Sequence, residues 1–324
     1  MKIIITGGLG YIGSNIANKL LKKKHNILII DNLSNSKISV IKKIQYLSKK
    51  KFQFKKTDCR DKSKILNIFK KFKPNVVIHL AGLKSVTEST RKPKKYLTEN
   101  FESAKIILDV MKVFDVKKFI FSSSATVYGK PIYLPIDEKH PTRPLNSYGK
   151  SKLSIEKYIT HLCKKSSNFS AVSLRYFNPV GADKSGLLLD NPQKPNNLFP
   201  KINQLLNKQI KFLPIFGNNY KTFDGTAIRD YIHILDLSDA HIKSINYLKK
   251  NTGHKVFNVG RGKGLSVKQI IKKFEFENKI KLNTKFMRRR KGDQPALYAK
   301  VKKIEKLLGW KAKLSFSTMC KINK

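Results

Sequence analysis

The sequence predicts an α/β fold: a doubly wound parallel sheet joined to a second, smaller α/β domain. Short apolar strands alternate with helical patterns through the first half of the 324-residue chain, which is the rhythm of a parallel sheet. A glycine-rich turn follows the first strand, and later strands end at polar or small residues. Beyond residue 178, proline and asparagine become frequent and the rhythm is lost. We therefore predict one domain over 1–177 and a second over 178–324, from which segments could return to the sheet.

The first strand, residues 2–6, runs into a turn with glycines at 7, 10 and 13, and a helical pattern follows. The first glycine allows a tight turn, the second lets the backbone approach a pyrophosphate, and the third lets the helix pack on the strand. The second strand, 27–31, ends in Asp31. Its carboxylate can accept hydrogen bonds from a ribose diol and would repel a 2′-phosphate. These features predict a Rossmann domain that binds NAD rather than NADP.

Further strands are predicted at 51–57, 76–80, 119–121 and 171–175, with long helices at 93–114 and near 148–164. In an open parallel sheet the ligand lies beyond the carboxyl ends of the strands. Six residues at predicted strand ends should therefore gather there: Gly7, Asp31, Asp58, Ala81, Ser124 and Tyr176. Asp58 would meet the adenine, and the small residues after 80 would let the backbone pass close to the cofactor.

Tyr148 and Lys152 lie four residues apart at the start of a predicted helix, so both project from one side of it. A phenol is a poor base because its reference pKa is about 10. An ammonium one turn away should favour the phenolate and lower that pKa. Ser124, at the end of the neighbouring strand, could complete a hydroxyl-phenol-ammonium site.

The chain carries a net charge of +47, and its 68 basic residues are 59 Lys and 9 Arg. So basic a surface would attract nucleic acid, but scattered lysines with abundant Ile and Asn are also what an AT-rich coding sequence would produce. The lysines occur in twos and threes, without a zinc-finger, helix-turn-helix or RNA-binding signature. We predict no specific nucleic-acid partner and a general attraction of anionic substrates.

No apolar run approaches the roughly 20 residues of a membrane helix. The apolar start is only three residues long before the glycine turn, so it is interpreted as a strand rather than a signal peptide. Cys59, Cys163 and Cys320 are far apart and have no metal-binding or redox spacing. We predict a cytoplasmic protein with no membrane partner and no metal site.

The glycine turn and the Tyr148-x-x-x-Lys152 pair resemble the extended short-chain dehydrogenase/reductase family. The resemblance covers residues 1 to about 315. It also rests on the stretches 121–129, 175–182, 195–198, 224–226 and 229–233. It implies tightly bound NAD and reversible C4 epimerisation of UDP-glucose and UDP-galactose, through a 4-keto sugar, in galactose metabolism. It also implies a homodimer built on the helices near 95–114 and 147–164.

The resemblance further implies roles for individual residues. The catalytic residues would be Ser124, Tyr148 and Lys152. The residues that would bind the cofactor are Gly7, Gly10, Tyr11, Ile12, Gly13, Asp31, Asn32, Leu33, Ser34, Asn35, Ser36, Asp58, Cys59, Leu80, Ala81, Gly82, Leu83, Lys84, Asn100, Ser124, Tyr148, Lys152 and Phe177. Those that would bind the sugar nucleotide are Lys84, Ser124, Tyr148, Asn178, Asn197, Leu198, Phe216, Arg229, Arg290, Asp293 and Leu297.

Two positions bear on which reaction and which substrate to expect. Related dehydratases typically have Asp-Glu where this chain has Ala125-Thr126, so elimination of water is not expected. Leu297 stands where relatives gate the C2 substituent of the sugar. It is intermediate in size, which leaves UDP-N-acetylhexosamine or UDP-uronate epimerisation as an alternative. A catalytically silent nucleotide-sensing or nucleic-acid-binding protein on the same fold is the remaining hypothesis.

Overall fold

A computed structural model describes residues 1–192, 195–290 and 292–321, so the final residues of the predicted second domain, 322–324, lie outside the described part. The strands of that part are β1 (Lys2–Thr6), β2 (Asn26–Asp31), β3 (Gln53–Lys56), β4 (Val76–His79), β5 (Lys118–Ser124), β6 (Ser170–Tyr176), β7 (Asn178–Val180), β8 (Leu213–Phe216), β9 (Ile228–His233), β10 (Gly253–Val259), β11 (Gly264–Ser266), β12 (Thr284–Met287) and β13 (Ala296–Leu297). The helices are α1 (Tyr11–Lys22), α2 (Val40–Ser48), α3 (Lys62–Phe72), α4 (Val86–Arg91), α5 (Pro93–Val113), α6 (Ser147–Lys165), α7 (Leu198–Leu206), α8 (Ile234–Leu248), α9 (Val267–Asn278), α10 (Lys302–Leu308) and α11 (Phe316–Cys320).

Seven strands form the central sheet in the order β3-β2-β1-β4-β5-β6-β10. Neighbouring strands are parallel throughout. The order reverses between β1 and β4, which places a ligand-binding crevice beyond the carboxyl ends of these strands. The predicted doubly wound sheet is confirmed. Its seventh strand, β10, comes from the second half of the chain, while the domain division after residue 177 stays a prediction.

The alternation of side chains along β1 explains why helices cover both faces of this sheet. Ile3 and Ile5 point to one face and belong to the core that contains residues of α1, α8 and α10. Ile4 points to the other face and packs with residues of α3, α5 and α6. All three side chains are fully buried. Strands buried on both faces are continuously apolar, as in parallel sheets generally.

The second half of the chain builds two small sheets beside the carboxyl ends of the central strands. β9 pairs with β7, β11 and β13, and β8 pairs with β12. A separate apolar core joins α7, β8, α9 and α11. Among the described residues, no helix is long and apolar enough to cross a membrane.

Candidate active site

The turn between β1 and α1 has the geometry of a phosphate cradle. Gly7 adopts φ +67°, and a Cβ there would lie 2.8 Å from the backbone nitrogen of Ala81. A Cβ on Gly13 would lie 2.5 Å from the Gly7 carbonyl oxygen, so α1 packs directly on the turn. Gly10 precedes α1, and no described side chain caps the helix there. The first-turn amides, including those of Tyr11 and Ile12, therefore suit an NAD pyrophosphate.

Replacing Gly13 with alanine should weaken NAD binding about 10- to 100-fold, because the added methyl forces α1 away from the turn. Gly253→Ala is the matched control. Gly253, unlike Gly13, has a positive φ, of +77°, so alanine there strains the backbone, but the added methyl would meet no described atom within 4 Å. Titration of both variants with NAD, followed by calorimetry, measures the difference. Equal NAD affinities in the two variants would contradict the assignment of the turn.

Asp31 is fixed at the end of β2 by hydrogen bonds from the protein. Its Oδ2 accepts from the Leu9 amide at 3.1 Å, and its Oδ1 accepts from the Leu33 amide at 2.9 Å and the Ser36 hydroxyl at 2.8 Å. The side chain is 8% exposed. A carboxylate has about four acceptor positions, so this one keeps capacity for a ribose hydroxyl. Ser34 and Asn35 are exposed on the same loop.

Asp58 already has strong partners. Both oxygens accept from the Arg60 guanidinium, at 3.0 and 2.9 Å, and Oδ2 also accepts from the Asn32 amide at 3.0 Å. The Arg60 hydrogen bonds lower the pKa of Asp58 to about 2. Cys59 is buried behind it, and burial raises the pKa of this thiol to about 12. The predicted adenine contact of Asp58 would therefore share a carboxylate that is engaged with Arg60.

The turn after β4, residues 80–84, is held by Asn100. The Asn100 side chain accepts from the Leu83 amide at 2.7 Å and donates to the Leu83 carbonyl at 3.1 Å and to Ser151 at 3.0 Å. A Cβ on Gly82 would lie 3.0 Å from Asn100 Oδ1 and 3.9 Å from Lys152 Nζ. The turn therefore passes directly beside Lys152. Asn100 is 2% exposed and braces this turn, while its predicted contact with the cofactor stays a prediction.

The contacts of the segment 181–190 with α1 and with Lys84 were not predicted from the sequence. Asp190 lies 3.5 Å from the Lys84 ammonium. The Tyr11 hydroxyl donates to the Gly181 carbonyl at 2.7 Å, and Asn15 donates to the Leu188 carbonyl at 2.9 Å. These contacts fasten residues 181–190 to α1 and to the turn after β4. They join positions more than 100 residues apart, so no local pattern could have indicated them.

The predicted catalytic residues meet where β5 ends and α6 begins. Ser124 is the last residue of β5, and the 3₁₀ turn Ala125–Val127 follows it. Asn146 caps α6 by accepting from the Gly149 amide at 2.8 Å. A Cβ on Gly149 would lie 2.7 Å from the Thr126 carbonyl oxygen. Glycine at this position therefore lets α6 approach the turn closely, which brings Tyr148 to Ser124.

The ionisation of Tyr148 and Lys152 differs from the sequence-based expectation. Burial raises the pKa of Tyr148 above its ordinary value, and a hydrogen bond from Ser124 offsets this in part. Burial lowers the pKa of Lys152 to about 8, while the Glu156 carboxylate raises it. Lys152 Nζ lies 4.9 Å from the centre of the Phe121 ring and 5.8 Å from that of Tyr148. The prediction that Lys152 lowers the phenol pKa is wrong for the polypeptide by itself, because burial raises this pKa and the opposing effect comes from Ser124.

A buried ion pair supports this site and was also missed from the sequence. Glu156 accepts from Arg175 at 2.9 and 2.6 Å and from the Ser123 hydroxyl at 2.5 Å. The side chains of Glu156 and Arg175 are only 5% and 7% exposed. Glu156 stands one helical turn beyond Lys152 on α6, and Ser123 precedes Ser124 on β5. The four-residue spacing from Lys152 was the available signal.

The predicted substrate residues converge from separate elements. Arg290 donates to Asp293 at 2.9 Å, its guanidinium carbon lies 4.9 Å from the Phe216 ring centre, and it donates to the Asn196 carbonyl at 3.1 Å. Arg229 approaches the other oxygen of Asp293 at 3.7 Å. Two guanidinium groups and an aromatic ring are thus gathered around one carboxylate. Arginine forks of this kind suit bidentate contacts with phosphate.

The remaining predicted residues lie at or next to the ends of β7, α7 and β13. Asn178 is half-buried at the start of β7, and Asn197 and Leu198 stand at the start of α7. Phe177 is buried in a cluster with residues of the 125–128 turn, and Leu297 packs against that cluster. Within residues 1–192, 195–290 and 292–321, no group of three or more His, Cys, Asp or Glu side chains could hold a metal ion.

The fold and the site define the class of this protein as an extended short-chain dehydrogenase/reductase. Its phenol, hydroxyl and ammonium groups lie beside a dinucleotide-binding turn. A family model described as GDP-mannose 4,6 dehydratase matches residues 4–323. UDP-glucose 4-epimerase from Bos taurus is 42% identical over 98% of this chain and 94% of its own length. The Bacillus subtilis enzyme of that name is 39% identical over 99% and 95%.

A solved structure agrees with these sequence relatives. UDP-glucose 4-epimerase from Bifidobacterium longum, in complex with NAD⁺ and UDP, superimposes with a TM-score of 0.95 at 39% identity, over 99% of this chain and 96% of that one. The chain belongs to the UDP-glucose 4-epimerase family. Membership confirms the predicted class, an NAD-dependent epimerase of the short-chain dehydrogenase/reductase type.

Proposed function

We propose that this protein interconverts UDP-glucose and UDP-galactose, inverting C4 of the hexose through a 4-keto sugar, as a step of galactose metabolism. The observation that carries the proposal is the convergence of Ser124, Tyr148 and Lys152 beside the turn at Gly82. The names of its relatives supply the substrate class. The three described cysteines are free, which supports a reducing compartment such as the cytoplasm.

In this mechanism Tyr148 moves the proton and the rest of the site holds the sugar. When bound, NAD would accept the C4 hydride and return it to the opposite face of the same carbon. Tyr148 takes the proton of the C4 hydroxyl and gives it back to the C4 oxygen after the keto sugar has turned over. Ser124 donates a hydrogen bond to the phenolate, and the Lys152 ammonium supplies a positive charge one turn away. No atom is lost from the substrate, so the reaction is an isomerisation.

The turn after Ser124 supports inversion rather than elimination of water. Elimination from the keto sugar would need an additional acid and base next to C5 and C6. Ala125 has no ionisable group, and the Thr126 hydroxyl donates to Ser124. Neither side chain can move those protons near neutral pH. The description of the matching family model as a dehydratase therefore does not extend to the reaction proposed here.

The cluster around Asp293 is the proposed holder of the diphosphate and uridine. Arg229 and Arg290 would bind the phosphate oxygens, Phe216 would lie against the uracil, and Asp293 would bind the ribose. Asn178 and Asn197 would bind the sugar or the diphosphate. This arrangement anchors the nucleotide while the hexose remains free to turn.

Leu297 is the proposed gate for the C2 substituent, and its replacement should change substrate preference. Leu297→Ser removes most of a half-buried side chain beside Phe177. We expect kcat/KM for UDP-N-acetylgalactosamine to rise about tenfold relative to that for UDP-galactose, while Leu297→Tyr lowers this ratio. A substrate panel that includes a UDP-uronate measures it, with Leu145→Ser, at a 55% exposed leucine, as the control. An unchanged ratio in both Leu297 variants would contradict the gate.

Incubation of the purified protein with UDP-galactose tests the proposed reaction. UDP-glucose should form, and an NADH-like absorption should appear transiently when sugar nucleotide is added to the NAD-bound protein. Absence of conversion with NAD bound would refute the reaction. Conversion of another UDP-sugar alone would favour the UDP-N-acetylhexosamine or UDP-uronate alternative.

We also propose a homodimer in which α5 and α6 of one subunit pack against those of its partner. The two helices lie side by side in the structure. α5 exposes Leu97 and Val113, which are 37% and 66% accessible. Apolar side chains left on a packed helix pair suit a helical bundle between subunits. Analytical ultracentrifugation tests this, and a monomer at micromolar concentration would contradict it.

A further inference from the structure

The Ser124 hydroxyl has both of its acceptor positions occupied by one neighbour. Its Oγ accepts from the Thr126 amide at 3.2 Å and from the Thr126 hydroxyl at 3.0 Å. A serine hydroxyl offers two lone pairs and a single proton. With both lone pairs used, its remaining capacity is to donate, and Tyr148, whose pKa is lowered by hydrogen bonding with Ser124, is the neighbouring group that can receive its proton.

Thr126 is held in place from both sides. It is the middle residue of the 3₁₀ turn Ala125–Val127, which is closed by a hydrogen bond from the Tyr128 amide to the Ala125 carbonyl at 3.2 Å. On its other side, the Thr126 carbonyl is in close contact with Gly149, the residue after Tyr148. The distance from Thr126 to both Ser124 and Tyr148 is therefore fixed by backbone, which is what a supporting group requires.

We propose that Thr126 is a positioning residue that points the Ser124 proton at the Tyr148 oxygen, so that Ser124 acts as a one-way donor to the phenolate. The inference rests on the proposed function in so far as Tyr148 is the base. The amide and the hydroxyl of Thr126 both donate to Ser124, so Thr126 acts on the phenol through that serine. Without its hydroxyl, Ser124 gains a free lone pair and can rotate, so it can also accept from a neutral phenol.

The one-way arrangement matters because the two forms of Tyr148 need different partners. A phenolate is stabilised by a donor, whereas a neutral phenol is stabilised by an acceptor. Donation from two Thr126 groups polarises the Ser124 hydroxyl and strengthens its bond to the phenolate. Thr126 therefore works against the burial that raises the pKa of Tyr148. A threonine that served only as packing would not have this effect.

Thr126→Val and Thr126→Ser test the proposal in the NAD-bound protein. Valine keeps the shape and the amide but removes the hydroxyl, while serine keeps the hydroxyl. Phenolate absorption measures the ionisation of Tyr148. Because the chain has 12 tyrosines, the spectrum of the matching protein with Tyr148→Phe is subtracted. Thr126→Val should raise the pKa of Tyr148 and lower kcat/KM about tenfold on the acid limb of the pH profile. Thr126→Ser should restore both.

An unchanged Tyr148 titration in Thr126→Val would overturn the proposal. So would an equal loss of kcat/KM at every pH, which is the result expected of a structural role. If Thr126→Val does not fold, Thr126→Ala, which is smaller and also lacks the hydroxyl, is measured in its place with the same two outcomes. The titration needs no turnover, so it gives its answer even if the protein fails to convert UDP-galactose.

Discussion

Replacing Tyr148 with phenylalanine should leave a folded protein that binds NAD but converts UDP-galactose about 10³-fold more slowly. The phenol oxygen is the group placed to take and return the proton of the C4 hydroxyl, and a positioned acid-base group contributes about 10²- to 10⁴-fold. Phenylalanine keeps the ring and its packing. The loss should therefore fall on kcat, with little change in KM.

Tyr158→Phe is the matched control for this result. Tyr158 lies on the same helix, α6, and its hydroxyl donates to Asp109 at 3.1 Å, away from the Ser124 end. Its loss should leave kcat unchanged. NAD content and thermal unfolding of both variants show whether each is intact. A Tyr148→Phe variant with more than a tenth of the parent activity would show that another group carries the proton.

Activity should also rise with pH on the acid side, because Tyr148 must lose its proton to act. Its raised pKa places this limb at higher pH than an unperturbed site would. The Lys152 ammonium should limit activity on the alkaline side. Its pKa is about 8, so its positive charge is lost as the pH rises above that value. The four-residue spacing of the two residues indicated their proximity correctly. It could not indicate burial, which decides both directions.

The central sheet was predictable because each of its buried strands is recognisable from its own stretch of sequence. Strands buried on both faces are continuous apolar runs, and each is bounded by a turn or by a helical pattern. The predicted strand at 171–175 corresponds to Ser170–Tyr176, and the predicted helix near 148–164 to Ser147–Lys165. β3 is shorter than predicted, Gln53–Lys56 against 51–57. β3 is one of the two edge strands of the sheet, and an edge strand pairs on one side only.

The substrate side could not be obtained from local patterns. Phe216 ends β8, Arg229 lies at the start of β9, and Arg290 precedes β13. Each belongs to a segment whose position depends on a distant partner, as in the pairing of β8 with β12. Resemblance to a family supplied these residues, and the fold shows how they meet. The Glu156–Arg175 pair joins a helix to a strand, and it was predicted neither from a local pattern nor from the family resemblance.

Glu156→Gln should destabilise the protein by about 3–5 kcal/mol, the usual result of leaving one partner of a buried ion pair uncompensated. The variant keeps the size of the side chain but leaves the Arg175 guanidinium buried without its carboxylate. Ser123 loses a charged acceptor as well. Urea unfolding measures the change. Glu277→Gln, at the more accessible pair with Lys273, is the matched control and should leave the urea midpoint nearly unchanged.

The double variant Glu156→Leu/Arg175→Met separates stability from positioning. It removes both charges, so it should recover most of the stability lost in Glu156→Gln. It should not restore the parent pKa of Lys152, because the Glu156 carboxylate raises that pKa and is absent from the double variant. Without it, the Lys152 ammonium should lose its proton at lower pH, and the alkaline limb of activity should move down. If the double variant is stable and its pH profile is that of the parent, the pair serves the fold alone; if the limb moves, it also sets the charge beside Tyr148.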